Sequence, residues 1–182
     1  MQKFKIVKDS NKDLRKRCEL VEEPISEEVK KTLFDMLEYL EKSQDDEWAE
    51  KNNVRAGVGL AAPQIGINKC FFAMYYKDED DKIHKYGFVN PKIISESLKQ
   101  CYLTGGEGCL SVDDEHKGFI YRPNKITFKA FNVVTNKYED HTFYGYESIV
   151  FQHENDHLKG ILFYDHINKK NPLYEDPNAI MI

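Results

Sequence analysis

The string His153-Glu154-Asn155-Asp156-His157 constrains this chain more than any other feature, because its chemistry works only on a helix. Four residues apart on an α-helix, the two imidazoles project from one face and are able to grip a single metal ion. Glu154 would then stand beside the open position of that ion, where a carboxylate takes a proton from water. Its surroundings support the helix: Ile149, Val150, His153, Asp156 and His157 share neighbouring faces, and Gly160 marks the stop. The same spacing also serves two helix histidines that make ordinary hydrogen bonds, so the third ligand decides what kind of site this is.

In the longer pattern H-E-x-x-H-x-x-G-x-x-H, Gly160 falls in place but the final position is Phe163, which binds no metal. Glu175 is a later carboxylate candidate, yet it sits in a polar tail broken by Pro172 and Pro177. His166 begins no recognisable element. Cys18, Cys70, Cys101 and Cys109 contain no C-x-x-C pair, which argues against a disulfide framework or zinc ribbon and suits a reducing cytosol. Of these, Cys109 follows Gly105-Gly106-Glu107-Gly108, where glycines permit close backbone approach. A thiolate with two imidazoles leaves a fourth position for water, the arrangement of a catalytic site. Taken alone, Cys109 reads first as a small buried apolar residue.

A third segment runs Gly57-Val58-Gly59-Leu60-Ala61-Ala62-Pro63-Gln64-Ile65-Gly66. It lacks the spacing and lysine of a phosphate loop. Gln64 is an uncharged donor beside a small-residue turn and suits an oxyanion, although such a string also builds tight core turns.

The 182 residues fit one domain, residues 1–182, with no interdomain linker or repeat. A formal charge of −5, from 26 basic against 31 acidic residues, supplies no footprint for nucleic acid. A mean hydropathy of −0.64 excludes a membrane core. The amino terminus from Met1 to Asp9 alternates charged and apolar residues and lacks the apolar run of a signal peptide, which points to the cytoplasm.

Val29, Leu33, Met36, Leu37 and Leu40 recur at helical spacing after Ser26, the expected N-cap, with Glu27 and Glu28 in the first turn. Residues 41–53 read as a fraying, solvated loop. A hairpin is expected from residues 71–76 and 84–89, and a second strand pair from residues 126–133 and 138–144. The tail from residue 169 cannot be a regular helix throughout.

Taken together, three segments resemble the peptide deformylases, which remove the formyl group from the initiator methionine of new polypeptides. The first is Gly57 to Gln64, the second Glu107-Gly108-Cys109-Leu110-Ser111, and the third Gln152 to Leu158; they stand in the family's order. The double glycine before Glu107, the long loop before Gly57 and the irregular ending are similar to the bacterial subclass common in Gram-positive-type organisms.

The resemblance implies one divalent metal ion on Cys109, His153 and His157, Fe²⁺ in the cell, with Zn²⁺, Ni²⁺ or Co²⁺ admitted by the same ligands. It implies Glu154 as general base and then acid, Gln64 and the Leu110 N–H as oxyanion donors, and Glu107 with Arg122 orienting the site. An exposed Glu107–Arg122 surface pair is the alternative. By similarity and helix geometry, substrate would lie along Val58, Gly59 and Gly108, with the methionine side chain against Val58, Ile149, Val150 and the His153 ring. The implied partners are N-formylmethionyl nascent chains, with a transient ribosome contact and no membrane.

The fold expected is α+β, with mixed or antiparallel sheets around a central metal-binding helix carrying H-E-x-x-H. Two other classes stay open. One is a zinc endopeptidase using Glu175 or His166 as ligand. The other is a non-catalytic Cys-His-His metal module whose fourth ligand is protein.

Overall fold

The computed structural model describes residues 4–182, so of the amino-terminal run read above residues 1–3 lie outside the described residues. Helix α1, Glu27–Ser43, starts where the Ser26 hydroxyl accepts the Val29 N–H at 3.3 Å, with Glu27 and Glu28 in its first turn. Its apolar stripe, Leu33, Met36, Leu37 and Leu40, is fully buried.

The expectation of a solvated loop over residues 41–53 is wrong. Helix α1 continues to Ser43, and a second helix, α2, covers Asp46–Asn52. Its polar composition hid two strong end signals: Asp45 accepts the Trp48 N–H at 2.8 Å, and Asn53 ends the helix in the left-handed region at φ 52°. Trp48 then packs edge-on to Tyr39, ring centres 6.3 Å apart.

Five strands form an antiparallel sheet in the order β1-β2-β3-β6-β7, from β1 (Gly59–Ala61), β2 (Phe71–Lys77), β3 (Ile83–Glu96), β6 (Lys125–Asn132) and β7 (Lys137–Tyr144). Both expected strand pairs are present. Strand β3 outruns its expected end because register shifts between Val89 and Lys92 absorb Pro91, which has no N–H for the ladder. A smaller mixed sheet, β5-β4-β8, joins β4 (Gln100–Tyr102) antiparallel to β5 (Arg122–Pro123) and parallel to β8 (Ile180–Met181). These strands and β1 are too short to show a period of two in sequence, and the irregular tail ends in one of them.

Strand β2 is buried on both faces. Phe71, Ala73 and Tyr75 join the α1 residues in one core, while Phe72, Met74 and Tyr76 join Val150 and Phe151 of helix α3, Gly145–His157, in another. Alternation along the strand sends successive side chains to opposite faces, so the two helices cover opposite sides of the large sheet. Past α3, Gly160 holds φ +75°, and a Cβ there would meet the Arg15 carbonyl oxygen at 2.4 Å. Only glycine lets the chain leave the helix this close to the amino-terminal segment. The architecture is α+β, and no helix among the described residues is long and apolar enough to cross a membrane.

Candidate active site

Helix α3 presents His153, Glu154 and His157 beside the loop that carries Cys109 and the turn, residues 62–65, that carries Gln64. The donor atoms of Cys109, His153 and His157 all lie within 4.8 Å of one another, and Cys109 Sγ is 3.3 Å from His157 Nε2. Glu154 is 4% exposed, and burial pushes its carboxyl up to about 7. Strand β1 makes this possible at Gly59, where a Cβ would stand 2.2 Å from Glu154 Oε1. The glycine read in sequence as room for substrate is therefore first of all room for Glu154.

The Gln64 side chain is enclosed and fully engaged. Its Oε1 accepts the Ala61 N–H at 2.8 Å, and its Nε2 donates to Ser111 Oγ at 3.1 Å and to Cys109 Sγ at 3.4 Å. The Ser111 N–H also donates to that sulfur at 3.4 Å.

Behind the histidines runs a charged network. Arg122 donates through Nε and Nη2 to the two oxygens of Glu107 at 2.6 and 3.0 Å, and through Nη1 to Asp156 at 2.8 Å. Glu107 Oε2 also bonds His153 Nδ1 at 2.8 Å, and Asp156 Oδ2 bonds His166 Nε2 at 2.8 Å. The Arg122 and Glu107 side chains are each 4% exposed, which overturns the exposed-pair alternative. Burial works against the charge on Asp156, but its bonds to His166 and Arg122 win and hold it at about 2. Glu107 is likewise lowered despite burial, by His153 and Arg122.

The residues present fit a cation. Burial opposes a charge on His153, yet its bonds to Cys109 and Glu107 hold its pKa well above the ordinary value. Burial and the neighbouring His153 push His157 well below it. Three donors thus converge in an enclosure where a divalent cation would be accommodated. Glu154 Oε2 and His157 Nδ1 are buried without a hydrogen-bond partner among the described residues, and such atoms are costly unless a further polar group completes them. A soft sulfur with two imidazoles suits late first-row divalent ions.

A cavity of ≈ 290 Å³ opens onto Glu154 and His153. Val58, Gly59, Gly108, Ile149 and Val150, named from sequence, all line it together with Gln64, Cys109 and Leu110. Arg55, Leu103 and Tyr146 line it too, and nothing in their local sequence marked them. Arg55 follows a polar helix, and Ser111 and Asp156 lay unread inside motifs already singled out. Gly108 faces open space, with nothing within 4 Å of where a Cβ would stand. His166 is bound to Asp156 rather than to the donor cluster, and Glu175 is exposed. His84 and His141 bond Asp78 and Glu139, each at 2.8 Å, as ordinary hydrogen-bonded histidines.

The sequence profile of the family described as polypeptide deformylase matches residues 3–172. A peptide deformylase of Listeria monocytogenes is 48% identical over 179 residues, covering 96% of this chain and 94% of that protein. Peptide deformylase 2 of Bacillus subtilis is 46% identical over 177 residues, covering 97% and 96%. The crystal structure of a peptide deformylase from Thermotoga maritima superposes with a TM-score of 0.70 at 32% identity, covering 92% of this chain and 99% of that one.

Proposed function

Since this chain belongs to the polypeptide deformylase family, we propose a division of labour among its residues for the reaction it performs, the metal-dependent removal of the N-formyl group from the initiator methionine of nascent polypeptides. The observation that carries the proposal is the convergence of Cys109, His153 and His157 beside the buried Glu154 at one cavity. Those three side chains would hold the ion, and Glu107 with Arg122 would fix the His153 ring so that Nε2 faces the other donors. A divalent cation there supplies Lewis acidity toward the formyl oxygen and lowers the pKa of water toward about 7.

Glu154 takes the proton of the attacking water and returns it to the amine that leaves. Its burial supports this assignment, since a carboxyl raised to about 7 exchanges protons near neutrality in either direction. As charge develops on the formyl oxygen, the Leu110 N–H donates to it, and Gln64 Nε2 does so by giving up its long bond to Cys109 Sγ. In the free protein Gln64 Nε2 is satisfied by Ser111 and Cys109, which holds it in place before substrate arrives.

Strand β1 is an edge of the large sheet, so an extended peptide has a free strand edge beside Val58 and Gly59 to add to, with Gly108 opposite. The methionine side chain would pack on Val58, Ile149, Val150 and the His153 ring. We assign Fe²⁺ as the cellular ion, Zn²⁺, Ni²⁺ and Co²⁺ being compatible with the same donors. We also assign the whole chain, residues 1–182, as one cytoplasmic catalytic unit organised around α3 as its central metal-binding helix, acting on nascent chains with transient ribosome contact. The packing of α3 against strands of both sheets supports its central place.

An endopeptidase reading would need His166 or Glu175 at the ion, and His166 is committed to Asp156. A structural module would need a fourth protein ligand, and among the described residues the cluster comprises three groups. The test is turnover of a formyl-methionyl peptide with metal analysis of the wild type, Cys109→Ala and Glu175→Ala. Loss of metal and turnover in Cys109→Ala alone is expected. Loss only in Glu175→Ala would overturn the assignment.

A further inference from the structure

Arg55 lies between α2 and β1, far in sequence from the loop it touches. Its Nη2 is 3.0 Å from the Cys109 carbonyl oxygen, 2.9 Å from that of Leu110 and 3.0 Å from that of Val112. Lys8 Nζ meets the Leu110 oxygen from another element at 3.1 Å, and both cations contact Asp113, at 3.1 Å from Arg55 and 2.8 Å from Lys8. One nitrogen spread over three carbonyls restrains the course of the loop rather than a single atom.

The Cys109 carbonyl and the Leu110 N–H belong to one peptide unit, which is planar and trans, so the two bonds point in opposite directions. Donors that hold the carbonyl, here Arg55 and the Val112 N–H at 3.1 Å, therefore also set the aim of the N–H. A cationic donor on the oxygen also polarises the unit, and that strengthens the N–H as a donor.

We propose that Arg55 is the positioning residue of the oxyanion site, orienting and polarising the Leu110 N–H through the Cys109 carbonyl. This rests on the reading of Leu110 as an oxyanion donor given above. Arg55 also lines the cavity, so direct contact with substrate is the competing role. The two differ in kinetics, because positioning acts on the transition state and direct contact acts on binding.

The test compares Arg55→Met and Arg55→Lys in the zinc-loaded enzyme, reading kcat and KM on a formyl-methionyl peptide, metal content, and the ¹H–¹⁵N resonance of the Leu110 amide. In Arg55→Met, kcat should fall about tenfold, short of the 10²–10³ lost when a donor is removed outright. KM and metal content should hold, and the Leu110 resonance should move. Arg55→Lys should recover part of both effects, and it keeps the test usable if the Met variant does not fold. A loss confined to KM, a loss that tracks metal content, or an unmoved Leu110 resonance would each overturn the proposal. Gln64→Leu separates it from its premise. If Gln64→Leu slows turnover and Arg55→Met does not, the clamp alone fails; if neither does, the oxyanion reading fails with it.

Discussion

Helix α1 and helix α3 cover opposite faces of one sheet with opposite chemistry. In α1, Leu33, Met36, Leu37 and Leu40 are fully buried and the charged residues face solvent. In α3, Glu154, Asn155, Asp156 and His157 are all 8% exposed or less. The first helix gains from removing apolar surface from water. The second gives up that gain over its last turn and must offset the cost of burying polar groups with partners. Arg122 and His166 serve Asp156 in this way and Glu107 serves His153, all from outside the helix. A segment that sacrifices stability in this way is expected where the chain does its chemistry, and the cavity opens there.

The comparison is broken most sharply at Glu154, whose Oε2 has no partner. Glu154→Ala should lower turnover by about 10²–10⁴, the usual contribution of a positioned acid–base group, while metal content holds and stability is not lost. Stability should even rise slightly, because an unsatisfied buried carboxyl is removed. Near-normal turnover in a metal-loaded variant would take Glu154 out of the mechanism. Steady-state kinetics beside metal analysis and chemical denaturation reads all three quantities.

The network behind α3 should behave in the opposite sense. Arg122→Met leaves Glu107 and Asp156 without the guanidinium they share, and removing one partner of a buried ion pair typically costs about 3–5 kcal/mol. Metal affinity should fall in the same variant, since Glu107 orients His153. An unfolding curve that hardly moves would mean the two carboxylates had found other partners.

On α1, Leu37→Ala should cost about 2–5 kcal/mol through lost burial and the cavity it leaves. Here the folded fraction should keep its kcat and its metal. Stability without chemistry on one helix, and chemistry without stability at Glu154 on the other, is the pattern that would sharpen the contrast; a kcat loss in Leu37→Ala would blur it.

The same contrast explains what could be read from the residues alone. The α1 stripe was legible because burial follows the helical period, and Ser26 announced its start. The buried polar positions of α3 follow no such period, so that helix was found through its histidine spacing. Helix α2 was misread because its capping residues, Asp45 and Asn53, look like any other polar residues in a charged run. Cys109, His153 and Gln64, each singled out from a different motif, line one cavity, and His157 lies buried with its donor atom within 4.8 Å of those of Cys109 and His153. Arg55 was invisible because its partners, three carbonyls of a kind every residue carries and the Asp113 carboxylate, lie 54 to 58 positions away. Strands β1, β4, β5 and β8 carry too few residues for any periodic signal.

The smallest expected effect lies at the starts of the two helices. Helix α1 begins with a side-chain cap, Ser26 to the Val29 N–H, whereas Tyr144 offers α3 none, and the Gly145 N–H is taken instead by the Asn124 carbonyl at 2.8 Å. Losing a serine cap costs about 0.5–2 kcal/mol, and at 3.3 Å this bond is longer than most, which places Ser26→Ala near the lower end. Tyr144→Ser would install a potential cap on α3, but it also removes a ring that lies 5.4 Å from the Lys125 ammonium. Because Phe151 and Val150 anchor α3 in the core, its start should matter less than that of α1, and the net change should be smaller than that of Ser26→Ala. Paired urea denaturation of the two variants measures this. If Tyr144→Ser stabilised the protein by as much as Ser26→Ala destabilised it, α3 too would be limited by its end rather than held by its partners.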